Sequence, residues 1–96
     1  MDMRLLMKQA QKMQEKMQKE IAELQVEGTA GGGMVTIRMT GNHAVASVSI
    51  KPEAVASNDA EMLEDLVLAA LNDAHRQIEA ALQEKMGSLK IPGFGL

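Results

Sequence analysis

The sequence predicts an α+β protomer with the order α-β-β-β-α. A three-stranded antiparallel sheet is flanked by two long helices, and the protomer pairs as a homodimer. Three observations lead there. Two long stretches, before Gly28 and from Asp59 to Met86, contain no Gly or Pro and repeat apolar residues at helical spacing. Short runs between them alternate apolar and polar residues. Glycine-rich and proline-containing breaks separate those runs. Ninety-six residues make one domain, 1–96.

The first helix is written in Met3, Leu6, Ala10, Met13, Met17, Ile21 and Leu24. At about 100° per residue these fall within a stripe of roughly 80°. Gln, Lys, Glu and Met fill the other positions and favour helix. Leu24–Gly28 begins a first strand with Leu24 and Val26 on one side, and Gly31-Gly32-Gly33 forms a flexible connection. In the second strand Val35, Ile37 and Met39 share a face. In the third, Ala44, Ala46, Val48 and Ile50 share one. Gly41-Asn42 between them reads as a two-residue type II′ turn, which pairs Thr40 with His43, Ile37 with Ala46 and Val35 with Val48. Lys51-Pro52 closes the sheet, because Pro52 has no N–H for a ladder.

Ser57-Asn58-Asp59 supplies N-caps for the second long helix. Its apolar stripe is Leu63, Leu66, Val67, Ala70, Ala74, Ile78, Ala81 and Leu82, and Gly87 follows as a C-terminal cap. Residues 87–96 read as a loose tail. The helices extend about 30 and 40 Å, whereas strands of this length reach only about 20 Å. The sheet is too short to cover both stripes. The core is also poor in volume, with nine Met, one Phe, and no Trp, Tyr or Cys. A second copy of the chain is therefore expected to complete it.

Charge is distributed unevenly. Residues 1–19 hold Arg4, Lys8, Lys12, Lys16 and Lys19 against Asp2 and Glu15, a local +3, whereas residues 20–96 carry −6. On a helical wheel the five cations centre roughly 150° from the apolar stripe, so they face away from the core. Such a row is often only a solvated face with local pairs such as Glu15–Lys19. The acid-free run from Met3 to Gln14 argues for an anionic partner instead. Lysine rows neutralise phosphates whatever the base sequence, and no aromatic platform is available for stacking on single strands. Were nucleic acid that partner, these features would favour a duplex bound with little sequence preference.

Several motifs carry the resemblance to a known family. MKQAQKMQEKMQ at residues 7–18, the pattern Val26-x-Gly28-x-x-Gly31-x-Gly33-x-Val35-x-Ile37-x-x-x-Gly41, EMLEDLVLAALNDA at 61–74, and Pro92-Gly93-Phe94 resemble the YbaB/EbfC family of bacterial nucleoid-associated proteins. The match runs in order along nearly the whole chain. It implies a small α-β-β-β-α dimer, located in the cytoplasm on the nucleoid. It also implies DNA binding that alters DNA conformation, with roles in nucleoid organisation or gene regulation.

Other chemistries find little support. GTAGGG at 28–33 lacks the Lys-Ser/Thr ending of a phosphate loop and does not lead into a helix. His43 and His75 are not a helix-spaced metal pair, and a weak site with Asp73 is the most they suggest. No nucleophile–base arrangement marks an enzyme, and no cofactor or small-molecule substrate is implied. No apolar run is long enough to span a membrane. An amphipathic first helix lying on anionic lipid lacks Trp and Phe anchors. The competing expectation is a non-enzymatic scaffold dimer whose acidic second helix meets a basic partner.

Overall fold

A computed structural model describes residues 2–87 of the chain. Helix α1 spans Met3–Glu23, strands β1, β2 and β3 span Gln25–Ala30, Val35–Thr40 and Val45–Ile50, and helices α2 and α3 span Pro52–Ala56 and Ala60–Gly87. The strands form one antiparallel sheet in the order β1-β2-β3. The expected α+β order holds, with one addition. Pro52 closes the sheet as anticipated, but its fixed φ also suits the first turn of the short α2. Gly87, expected just beyond the second long helix, is the last residue of α3. The expected tail beyond it lies outside the described residues.

The core forms where one face of α3 meets β1 and β2. Val35, Ile37 and Met39 alternate inward from β2 and meet Ala70, Ala74 and Ile78 of α3, all buried. Val26, Ala30, Leu63, Leu66, Val67 and Leu71 pack around them, half-buried. The inward residues thus follow the period-two and helical patterns of the sequence. Ala70 and Ala74 are small for a reason. A Cβ built on Gly28 in the middle of β1 would overlap the Ala70 carbonyl oxygen and the Ala74 amide nitrogen. Helix backbone therefore crosses strand backbone at nearly direct contact. Gly28, expected at the edge of a flexible connection, is a packing position inside β1.

The connection that follows is a defined turn. Gly31, Gly32 and Gly33 all take positive φ, at 65°, 68° and 92°, conformations that side chains resist. This lets the chain reverse directly, and Ala30 pairs with Val35.

The second hairpin corrects the expected register. Its loop has three residues: the His43 N–H donates to the Thr40 carbonyl (2.9 Å), and the Thr40 N–H donates to the Ala44 carbonyl (2.9 Å). His43, not Gly41, takes the left-handed conformation (φ 62°). This is the type I turn followed by a left-handed residue common to three-residue hairpins. Alone, the extra loop residue would turn β3 inside out. A bulge between Arg38 and Met39 opposes that shift: Arg38 pairs with Ser47 but Met39 with Val45, so Ala46 is the extra residue. Ile37 consequently faces Val48, and Val35 faces Ile50. The pairs lie two residues from those expected, but Val48 and Ile50 remain on the core face.

Both edges of the sheet follow from α3 lying over β1. Asp73 and Gln77 reach down to the outer edge of β1. The Thr29 N–H donates to Asp73 Oδ2 (2.9 Å), and Gln77 Nε2 donates to the Glu27 carbonyl (2.8 Å) and to Asp73 Oδ2 (3.1 Å). The Thr29 N–H is the main reason the Asp73 carboxyl is held below the ordinary aspartate range, with Gln77 and Arg76 adding to it. Arg76 lies 3.5 Å from the same carboxylate.

Two outcomes follow from this packing. Gly28→Val forces α3 off the sheet and should destabilise the fold by about 1–3 kcal/mol or more, read from the urea midpoint followed by helical circular dichroism. Asp73→Asn should lower the melting temperature at neutral pH. A carboxylate with a depressed folded pKa stabilises the fold above its unfolded pKa and loses that contribution as pH falls through the folded one. The difference between wild type and Asp73→Asn should therefore shrink on acidification below about pH 4.

Candidate nucleic-acid interface

Helix α1 begins at Asp2, whose Oδ1 accepts the Arg4 N–H at 3.0 Å and caps the helix. It ends at Leu24, whose extended backbone passes directly into β1. Only this end is anchored. Met17, Glu20, Ile21 and Leu24 are half-buried, and no residue within α1 is fully buried. The Gly41 N–H donates to the Leu24 carbonyl (3.0 Å), and a Cβ on Gly41 would overlap the Ile21 carbonyl oxygen. Glu20 pairs with Lys85 of α3 at 3.3 Å. The base of α1 therefore rests on the β2–β3 turn and the far end of α3, while its first four turns stand clear. Met3 (70% exposed) and Met13 (72% exposed) belong to the apolar stripe, yet none of the described residues covers them.

All five sequence-predicted cations lie on this helix and are exposed. From Arg4 to Lys19 the row covers about 22 Å of helix axis. That is about six base pairs of B-form rise. The four steps of i,i+4 or i,i+3 spread the row over roughly 120° of the wheel. Among the described residues no salt bridge or side-chain hydrogen bond engages Arg4, Lys8, Lys12, Lys16 or Lys19. Glu15–Lys19, the local pair considered from sequence, is not formed. The cations of the sheet and α3 behave differently. Arg38 meets Glu27 at 2.9 Å, Arg76 meets Asp73, and Lys85 meets Glu20. Arg38, Arg76 and Lys85 are thus paired on the folded body, where among the described residues Lys51 alone of the Lys and Arg side chains makes no salt bridge, whereas all five cations of the projecting helix are left free.

One constellation was not legible in the sequence. The β2–β3 turn brings His43 against α3, where its ring meets His75 edge to face with centroids 5.1 Å apart. His43 Nε2 lies 3.1 Å from Glu79 Oε1. The signal lay in the left-handed turn position of His43, which the expected two-residue Gly41-Asn42 loop had instead paired with Thr40. Asp73, considered alongside the histidines, is occupied instead by Thr29 and Gln77. Among the described residues no group of three or more His, Cys, Asp or Glu is placed to hold a metal ion. The glycine turn joins two antiparallel strands and opens no helix. Among those residues, too, no helix is long and apolar enough to cross a membrane.

Comparison with known proteins gives a consistent picture. Residues 1–94 match the model of the YbaB/EbfC DNA-binding family. A nucleoid-associated protein of Afipia carboxidovorans is 48% identical over 98 residues, covering 95% of this chain and 93% of the relative. Another from Legionella pneumophila is 54% identical over 87 residues, covering 88% and 77%. A third, from Chloroflexus aurantiacus, is 49% identical over 92 residues, covering 93% and 92%. Among solved structures, an uncharacterized protein of Helicobacter pylori shares the fold with a TM-score of 0.68 at 19% identity, covering 88% of this chain and 99% of that one.

Proposed function

The chain belongs to the YbaB/EbfC DNA-binding family, and from that premise we propose that it binds duplex DNA on the nucleoid through the outward cations of α1. The observation that carries this reading is the row of five exposed, unpaired cations on a helix that projects from an otherwise acidic molecule. Four of the five are lysines, flexible point charges suited to phosphate oxygens. Base readout favours side chains that make paired hydrogen bonds in a groove. The expected binding is electrostatic, largely independent of sequence and driven by counterion release. The protein makes or breaks no bond. Its action is to hold the duplex and change its path, in nucleoid organisation or gene regulation.

The same reading includes a homodimer. A compact 10.4 kDa monomer exposes about 5,400 Å², whereas this protomer exposes 7491 Å². Its radius of gyration is 19.1 Å, against about 12.5 Å for a compact chain of this length. The excess surface is more than one partner's share of a standard interface, about 800 Å². Two protomers would present two cationic rows, with the acidic remainder directing DNA toward them.

Duplex binding measured by fluorescence anisotropy across a salt series tests the reading. If about six phosphates are neutralised, log K should fall with log salt at a slope near −5, roughly a thousandfold between 50 and 200 mM. The Lys8→Glu/Lys12→Glu/Lys16→Glu variant should lose binding equally for unrelated sequences and keep its oligomeric state. A slope near zero, or a triple variant that binds like wild type, would overturn it.

A further inference from the structure

Leu5 interrupts the cationic face of α1. At the helical repeat, the arc that holds Arg4, Lys8, Lys12, Lys16 and Lys19 takes in Glu15 and Leu5 as well. Leu5 lies about 40° from the centre of that arc and about 120° from the centre of the apolar stripe. Its side chain is 58% exposed and belongs to neither the stripe nor the core cluster. Elsewhere off the stripe the helix uses Gln9, Gln11, Gln14 and Gln18, while Met7 borders it. The turn that carries Leu5 is held in place: its N–H donates to the Asp2 carbonyl (3.1 Å), and the Asp2 side chain caps the Arg4 N–H. A butyl group is thus presented outward between Arg4 and Lys8, both free of salt bridges. Lys8, three residues on, is its neighbour on the helix surface.

Resting on the DNA-binding function proposed above, we propose that Leu5 is a wedge that enters the duplex between two base pairs from the minor groove. Arg4, Lys8 and Lys12 hold the phosphates around it. A cation entering the base stack must give up its water and its phosphate, whereas leucine has no polar group to lose. The side chains that part base steps in this way are apolar ones. The minor groove, about 6 Å wide, is narrower than a helix of about 10–12 Å, so the groove opens as the helix settles on it. Unstacking one step bends the duplex toward its major groove, away from the protein. Charge holds the duplex and the wedge sets where its path changes. Pyrimidine–purine steps part most easily, so the bend falls there, while affinity remains a matter of charge.

A short duplex with a dye at each end reports the bend by energy transfer. A fluorescent adenine analogue at its central TA step, quenched by stacking, reports the opening. Leu5→Ala keeps every cation and a strong helix former. At saturating wild-type protein the analogue should brighten and the duplex ends should approach. Leu5→Ala should do neither at saturation, with its salt slope still at about −5. Leu5→Met, which restores an apolar wedge, should do both. If wild type binds the duplex but leaves the analogue quenched, or Leu5→Ala brightens it as fully as wild type, the wedge is refuted and DNA binding stands. If wild type does not bind the duplex at low salt, both fail.

Discussion

The contact on which the architecture depends is the crossing of α3 over β1 at Gly28. With no side chain on the strand and only methyl groups on the helix, at Ala70 and Ala74, the two backbones come close enough to bury Val35, Ile37 and Met39 beneath the helix. A small chain with one aromatic residue has little volume to fill an interior, and closing the layers together is the alternative. The crossing also fixes where α3 lies. It runs over the first two strands, guards the outer edge of β1 with Asp73 and Gln77, and leaves β3 bare. The asymmetry of the sheet is thus a direct result of one close approach.

The same placement governs α1. α3 occupies the core face of β1 and β2, and the first helix is held at its base by Gly41, Leu24 and the Glu20–Lys85 pair. Its apolar stripe and its cationic row are both presented to the outside. A helix in this position contributes little to the stability of the protomer. In the function proposed above, its methionines adapt to a subunit surface and its lysines to an anionic polymer. Membership of a DNA-binding family and the geometry of α1 point in the same direction, although they are independent observations.

Much of this was legible in the sequence because it follows from periodicity. The stripe Leu63–Leu82 predicted the buried side of α3, and the alternation at Val35, Ile37 and Met39 predicted the buried side of β2. The cations of α1 were placed outward by the helical wheel and are exposed. Features that depend on a single backbone conformation were not legible. Gly41 carries a turn signal, but the left-handed residue is His43, and this lengthens the loop. Gly28 was read only as the end of the first strand, because only the fold reveals the helix pressed against it. α2 is five residues long, too short for any period to register. The meeting of His43 with His75 and Glu79 depends on all of these at once.

The pairing of a three-residue turn with a bulge at Ala46 has an evolutionary consequence. Each alone reverses which side of β3 is greasy, and only together do they leave it correct. Between Thr40 and Ser47, a lineage can therefore gain or lose residues only in even steps, or must alter both irregularities in one event. Length variation among descendants of this chain should be rare in that segment and, where it occurs, should preserve parity.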